Sequence, residues 1–180
     1  MAILVRHEGD PRGGVVAPLD HLLEQLDQRP DCRLFPPAGQ PKLSPGHVLP
    51  EDLHQFYQRC GGATVRVEHP YGLDLRSPDQ LVLSNPLIFG EALPGDISAN
   101  WYVIANGVDS GIDLISIDLH PDRLGRCYDS FWDVHASPGS CNVVATSFTD
   151  LVRRALLSQE ESWWWTEEAF EGLGDAYDLT

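Results

Sequence analysis

Basic side chains are scarce in this 180-residue sequence, which carries 12 Lys and Arg residues against 27 Asp and Glu residues, a net charge of −15. Lys42 is the single lysine, and Arg153-Arg154 is the single adjacent basic pair. Nucleic-acid binding depends on basic side chains that neutralise phosphates and release counterions. The sequence therefore argues against a nucleic-acid ligand and favours a basic protein partner, which the negative surface would attract.

Long apolar runs and closely spaced cysteines are also missing. No run approaches the roughly 20 residues that cross a bilayer, and the first run ends at Arg6, too early for a secretion signal. We therefore expect a cytoplasmic protein that does not bind membranes. The four cysteines form no Cys-x-x-Cys pair, which predicts free thiols rather than a disulfide framework or a zinc site. They are Cys32, Cys60, Cys127 and Cys141.

The first half of the chain shows two helical segments around a proline-rich connection. Four leucines between Leu19 and Leu26 recur at helical spacing and predict a helix that stops before Pro30. Five prolines in residues 30–48 predict a surface connection without regular structure. Residues 49–62 begin with Leu-Pro-Glu-Asp and predict a second helix, because proline suits the first turn and carboxylates are stabilised there.

The second half is dominated by short runs with strand character. They predict strands over residues 63–68, 73–75, 81–83, 101–106, 112–119 and 125–131. The connections between the last three are short, which suits antiparallel neighbours. Ser147, followed three residues later by Asp150, predicts the start of a final helix. The predicted fold class is α+β, a mostly antiparallel sheet flanked by helices.

The last 22 residues, 159–180, differ from the rest in carrying seven acids, no base and the run Trp163-Trp164-Trp165. The spacing of Trp165, Ala169 and Leu173 is helical, so one interpretation is a terminal helix that docks its tryptophans on the domain. The other interpretation is an aromatic anchor for a partner, rimmed by acids, since tryptophan is enriched at interface hot spots.

A set of short motifs, each weak alone, has a distinctive order and spacing. The motifs are Leu49-Pro50-Glu51-Asp52-Leu53 with Phe56, Gly61-Gly62, Trp101–Ala105 with Gly107, Asp118, Gly125, Tyr128, Ala145, Ser147-Phe148 and Leu151. Together they resemble the SUKH superfamily of Smi/Knr-like proteins over residues 49–157. The turn at residues 106–111 has fewer glycines than that family shows. The expected division is an N-terminal arm, helix and proline-rich connection packed on the domain (1–48), a SUKH-like core (49–158) and an acidic tail (159–180).

The resemblance implies an α+β domain and a binding function. Many bacterial members are immunity proteins that neutralise polymorphic toxins, often nucleases, whereas fungal relatives act in regulating cell-wall assembly. We therefore expect an immunity protein that blocks a cognate toxin, such as a nuclease, by stoichiometric binding and without a cofactor. The alternative is an adaptor or regulatory protein with a partner that is not toxic.

Candidate contacts follow from the idea that carboxylates occupy the toxin's phosphate-binding cleft and pair with its Arg and Lys side chains. The acids in turns near the central strands are Glu91, Asp96, Asp109, Asp113 and Asp122. Trp101 begins a predicted strand and is either a further contact or an aromatic residue of the core.

An enzyme is not expected, because the sequence has no Gly-x-Ser-x-Gly, no His-Glu-x-x-His and no phosphate-binding glycine loop. One alternative remains, a metal-dependent hydrolase whose carboxylates and imidazoles converge near the end of a strand. Its candidate residues are Asp113, Asp118, His120, Asp122, Asp129, Asp133 and His135.

Overall fold

The structure, a computed structural model, describes residues 18–158, 162–166, 170 and 172–178. The helices are α1 (Leu19–Gln28), α2 (Glu51–Arg59), α3 (Ser84–Phe89) and α4 (Phe148–Leu157). The strands are β1 (Cys32–Leu34), β2 (Ala63–Val65), β3 (Leu73–Leu75), β4 (Trp101–Gly107), β5 (Leu114–Asp118), β6 (Cys127–Asp129) and β7 (Val143–Ala145). They form one antiparallel sheet in sequence order, so the α+β prediction is confirmed.

Helices α1, α2 and α4 pack on one face of the sheet and form the main core with it. The three predicted helices are confirmed, and each buries the stripe that its spacing indicated. Phe56 of α2 packs against Phe148 of α4 with ring centroids 4.8 Å apart. The hydroxyl of Ser147 accepts the backbone N–H of Asp150, and this cap starts α4 as predicted.

The second face of the sheet is also covered, by α3, by the loop between β6 and β7 and by the C-terminal residues 172–178. Side chains alternate along a strand, so Trp101 and Tyr128 point away from the main core. They form a smaller cluster with Cys141, Val143 and Ala176. All four cysteines are buried free thiols, as predicted.

The C-terminal segment passes from the first face to the second. Trp164 and Trp165 are buried in the main core, and the Trp164 Nε1–H donates to the carbonyl of Val144 (3.1 Å). Further on, the N–H of Val143 donates to the carbonyl of Gly174 (3.0 Å), and the segment shields the outer edge of β7. The docked interpretation of the tryptophans therefore holds for Trp164 and Trp165.

The predicted C-terminal helix is wrong in the part of the tail that the structure describes. Trp164–Thr166 form one short 3-10 helix, and Leu173 lies in a stretch without regular secondary structure. Ala169 of the predicted helix and the N-terminal arm, residues 1–17, lie outside the described residues. The three-part division of the chain stays a prediction, although α1 contributes to the same core as α2 and α4.

Two elements were not predicted. Strand β1 lies inside the proline-rich connection. Its three residues precede the pair Pro36-Pro37 and contain no proline, so they can pair with β2. Helix α3 includes Pro86 as its third residue. Proline is tolerated there because the first turn of a helix leaves its N–H groups without helical partners.

Two predicted strands are corrected. The strand over 63–68 ends at Val65, because Arg66 adopts a positive φ of 59° and turns inward to bind the carbonyls of Ser158 and Tyr71. In residues 81–83, only Leu83 pairs, in an isolated bridge with Tyr102. Across the described ranges, no helix has the length and apolar character needed to span a membrane.

Candidate functional site

The predicted acidic contacts are divided between the two ends of the sheet. Asp109 and Asp113 lie in the turn between β4 and β5, whereas Asp122 lies in the next turn, between β5 and β6. Successive turns of an antiparallel sheet fall at opposite ends, and the seven residues of β4 span about 20 Å. Asp96 lies just before β4, at the same end as Asp122. The structure therefore does not bring the set together.

The five acids also differ in how they are bound within the protein. Asp96 is committed to the fold, since its carboxylate accepts hydrogen bonds from Ser98 Oγ (2.6 Å) and the Tyr177 hydroxyl (3.0 Å). The Asp113 carboxylate accepts one from Ser110 Oγ (2.7 Å) and is partly exposed. The remaining three, Glu91, Asp109 and Asp122, are exposed.

Trp101 is a core residue, so its assignment as a partner contact is corrected. Its side chain is 0% exposed and stacks on Tyr128 with ring centroids 4.2 Å apart. The indole N–H donates to the buried carboxylate of Asp118 (3.0 Å), which also accepts from Arg123 Nε (2.8 Å). Alternation along β4 places this ring on the covered second face, out of reach of a partner.

The residues of the hydrolase hypothesis do not form one group, although Asp113 and Asp129 line a common cleft. Asp118 is buried and fully engaged, His120 and Asp122 sit in the turn after β5, and His135 lies in a separate buried network. Within residues 18–158 and the described parts of the tail, no three His, Cys, Asp or Glu side chains are grouped to hold a metal ion.

A network of hydrogen bonds between buried polar side chains links the second face of the sheet to α3. Nε2 of His135 donates to Asn85 Oδ1 (2.8 Å), and its Nδ1 lies 2.9 Å from Ser130 Oγ. Ser130 Oγ in turn lies 2.6 Å from Ser116 Oγ. Burial lowers the pKa of His135 to about 4, so the ring is neutral at pH 7. The network holds the turn at Phe131–His135 in place.

Exposed apolar side chains gather around that turn. Trp132 is 56% exposed, and Ile112, which precedes β5, is 51% exposed. Ser130 N–H donates to the Leu114 carbonyl and continues the pairing of β5 with β6. The same register, extended by two residues, would place Ile112 opposite Trp132. Phe89, at the end of α3, is 45% exposed and packs on the ring of His135 (5.3 Å). Exposed apolar groups that lie together mark interaction sites.

Acidic residues neighbour these apolar side chains along the chain, since Asp133 follows Trp132, Asp113 follows Ile112, Asp109 lies in the same turn and Glu91 lies two residues after Phe89. We call the whole set the Trp132 surface, and its members are Phe89, Glu91, Asp109, Ile112, Asp113, Trp132 and Asp133. Three of the predicted acids therefore belong to it, whereas Asp96 and Asp122 do not. Sequence reasoning missed Trp132 and Ile112, because exposure depends on packing that no local pattern reports.

A cleft of about 240 Å³ adjoins this surface on the first face of the sheet, and we call it the Trp163 cleft. Its lining comprises Leu73, Asp113, Leu114, Ile115, Asp129, Phe131, Trp163, Trp165 and Thr166. The Trp163 and Trp165 rings stack with centroids 5.0 Å apart. Trp165 Nε1–H donates to Asp129 Oδ2 (2.9 Å), and burial raises the pKa of that carboxyl group.

Fold and site together define a small α+β domain whose sheet is covered on both faces and whose acidic surface lies at the strand ends. Residues 42–154 match the SMI1/KNR4 family (SUKH-1), and the chain belongs to that family. A Bacillus subtilis (strain 168) protein named Immunity protein YokJ is 39% identical over 160 residues, 89% of this chain and 96% of the relative. No solved structure matches the chain.

The core role of Trp101 is tested by shortening its side chain. Trp101→Ala is expected to lower the free energy of unfolding by about 3–5 kcal/mol, because it empties a fully buried site. Trp101→Phe keeps an aromatic ring against Tyr128 and loses the donor to Asp118 and part of the ring volume, so its loss of stability should be smaller than that of Trp101→Ala. Urea denaturation measures both values. Unchanged stability in Trp101→Ala would contradict the core role.

The neutral state of His135 predicts a pH dependence of stability. The folded pKa of about 4 lies below the unfolded value of about 6.5, so the unfolded chain takes up the proton first as the pH falls. Stability should fall between pH 6.5 and 4, by about 3 kcal/mol in total. The unfolding free energy of His135→Gln, measured over the same range, should lack this component. Parallel curves for the two proteins would refute the assignment.

Proposed function

We propose that this protein is an immunity protein, which binds a toxin and blocks it without catalysing a reaction. The observation that carries the proposal is the similarity to Immunity protein YokJ, which extends over nearly the full length of both chains. Membership of the SMI1/KNR4 family supports it as well. We further propose that the protein acts in the cytoplasm, where it meets the incoming toxin.

The proposed partner is a basic toxin domain, for instance a nuclease. A nuclease must present positive charge to hold phosphates, and a protein of net charge −15 is attracted to such a surface over long range. Carboxylates docked in that cleft would pair with its Arg and Lys side chains in place of phosphates. Binding alone would then exclude the nucleic acid.

We assign the contact to the Trp132 surface. A protein interface gains most of its energy from a few buried aromatic or apolar anchors, while surrounding polar groups set orientation and specificity. Trp132 and Ile112 supply exposed anchors, and Asp109, Asp113 and Glu91 supply negative charge around them. Asp96 and Asp122 are left out of the proposed contact, because they lie at the other end of β4 and β5, and the Asp96 carboxylate already accepts hydrogen bonds from Ser98 and Tyr177.

Protection of cells tests the function and the surface together. Co-expression with the toxin encoded by the neighbouring gene should restore growth, and the two proteins should copurify. Trp132→Ala is expected to weaken binding by at least about 30-fold, as loss of a hot spot of 2 kcal/mol or more does. Leu157→Ala is the matched control, since Leu157 is 65% exposed on α4, away from the surface.

The outcomes of this test separate the alternatives. Failure of the wild-type protein to protect, together with capture of a harmless partner, would indicate an adaptor instead of an immunity protein. Equal weakening by Trp132→Ala and Leu157→Ala would reject the Trp132 surface. Thermal unfolding of each variant shows that the fold is retained.

Salt should act on the rate of association. Raising the salt concentration from about 50 to 500 mM shortens the Debye length from roughly 14 to 4 Å and screens the long-range attraction. The association rate constant with an inactive toxin variant should therefore fall by about tenfold or more in stopped-flow fluorescence. An unchanged rate would contradict acidic steering and leave immunity itself untouched.

A further inference from the structure

We propose that the Trp163 cleft receives a cationic side chain of the partner, an arginine, held between the tryptophan rings and two carboxylates. The identity of the partner rests on the proposed function, whereas the preference of the cleft for a guanidinium group does not. The cleft adjoins the Trp132 surface, because Asp113 and Phe131 line it and their chain neighbours Ile112 and Trp132 belong to that surface.

The walls of the cleft are aromatic and fixed in position. Trp163 stacks on Trp165 at an interplanar angle of 14° and meets Tyr71 edge-on, with ring centroids 5.4 Å apart. Gly107 permits this position, since a Cβ atom there would come within 3.2 Å of the Trp163 ring. A cation above the face of a tryptophan is attracted by the electrons of the ring.

The charged residues that the structure describes in the cleft have one sign. The described lining includes Asp113 and Asp129 and no Lys, Arg or His. Asp129 accepts hydrogen bonds from the Phe131 N–H (3.0 Å) and from Trp165, and Asp113 accepts one from Ser110. Each ionised carboxylate has about four acceptor positions, so both retain capacity for a further donor. Burial without a basic neighbour also explains why the pKa of Asp129 is raised.

Size and geometry favour an arginine side chain. The cleft volume of about 240 Å³ is smaller than the roughly 300–1,000 Å³ of pockets that bind small organic ligands. Guanidinium is planar, stacks on aromatic rings and donates up to five N–H groups toward carboxylates. Ammonium is a compact, strongly hydrated charge that cannot stack in this way.

A small probe tests the cleft without the toxin. N-acetyl-arginine amide, titrated into the full-length protein, should shift the indole N–H signals of Trp163 and Trp165 in NMR spectra. The neutral analogue N-acetyl-citrulline amide has nearly the same shape and should bind at least tenfold more weakly. Equal binding of both compounds, or no shift with either, would overturn the proposal.

Variants assign the effect to the lining residues. Asp113→Asn keeps an oxygen for Ser110 but removes one charge, and it should weaken arginine-amide binding at least fivefold. Trp163→Leu should abolish the shift at Trp165. Leu157→Ala is the control that should bind the probe as the wild-type protein does, since Leu157 lies on α4 and outside the lining. Unfolding midpoints show whether each variant remains folded.

The toxin then provides a second measurement. Asp113→Asn and Trp163→Leu should protect cells less well than the wild-type protein. If both protect fully, the partner does not use the cleft, and this inference is wrong while the immunity function stands. If the wild-type protein gives no protection, the proposed function fails, and the probe titration still decides the cation preference.

Discussion

Burial of both faces of the sheet is the constraint on which the rest of the structure depends. The first face is covered by three amphipathic helices whose apolar stripes fill the main core. The second face carries Ser116, Asp118 and Ser130, which are buried and need hydrogen-bond partners. His135 and Asn85 supply part of those partners, and Trp101 caps Asp118. The hydrogen bonds that these buried polar groups need thus fix the position of the loops that cover this face.

A sheet covered on both faces leaves its ends and the covering loops for binding. The turn between β4 and β5 and the turn at Phe131–His135 meet at one end, where the pairing of β5 with β6 continues through Ser130. The buried network fixes the second turn, so Trp132 is presented on a rigid support. Preorganised contact residues lose less conformational entropy on binding. The buried polar network therefore contributes to the proposed binding, because it holds the turn that presents Trp132 at the surface.

Local sequence patterns were sufficient to predict the elements whose buried residues recur at a regular spacing. Helices α1, α2 and α4 show helical spacing of apolar residues, and Ser147 carries its own capping signal. Strand β1 and helix α3 could not be found in this way. The three residues of β1 become a strand only when β2 lies beside them, and α3 is held by contacts from Asn85 to residues far along the chain.

The candidate site was predictable only in part. The acids Asp109 and Asp113 were identifiable from their place in a turn, but Asp122 follows the next strand and an antiparallel sheet sends it to the other end. Trp101 and Trp132 both lie outside a repeating apolar pattern, and only tertiary packing decides that the first is buried and the second exposed. For single residues outside a repeating pattern, exposure is set by the folded neighbourhood, which neither periodicity nor composition reports.

The C-terminal segment contributes both to the negative charge of the chain and to its proposed specific contacts. It carries seven of the 27 acids and also brings Trp163 and Trp165 to the cleft beside Asp113 and Asp129. Exposed charges act over a Debye length and govern how fast partners meet, whereas buried contacts govern how slowly they separate. Substitutions of Glu91 or Asp109 should therefore act mainly on association. Substitutions in the aromatic walls should act mainly on dissociation, because a ring and a guanidinium group removed from water are little affected by salt.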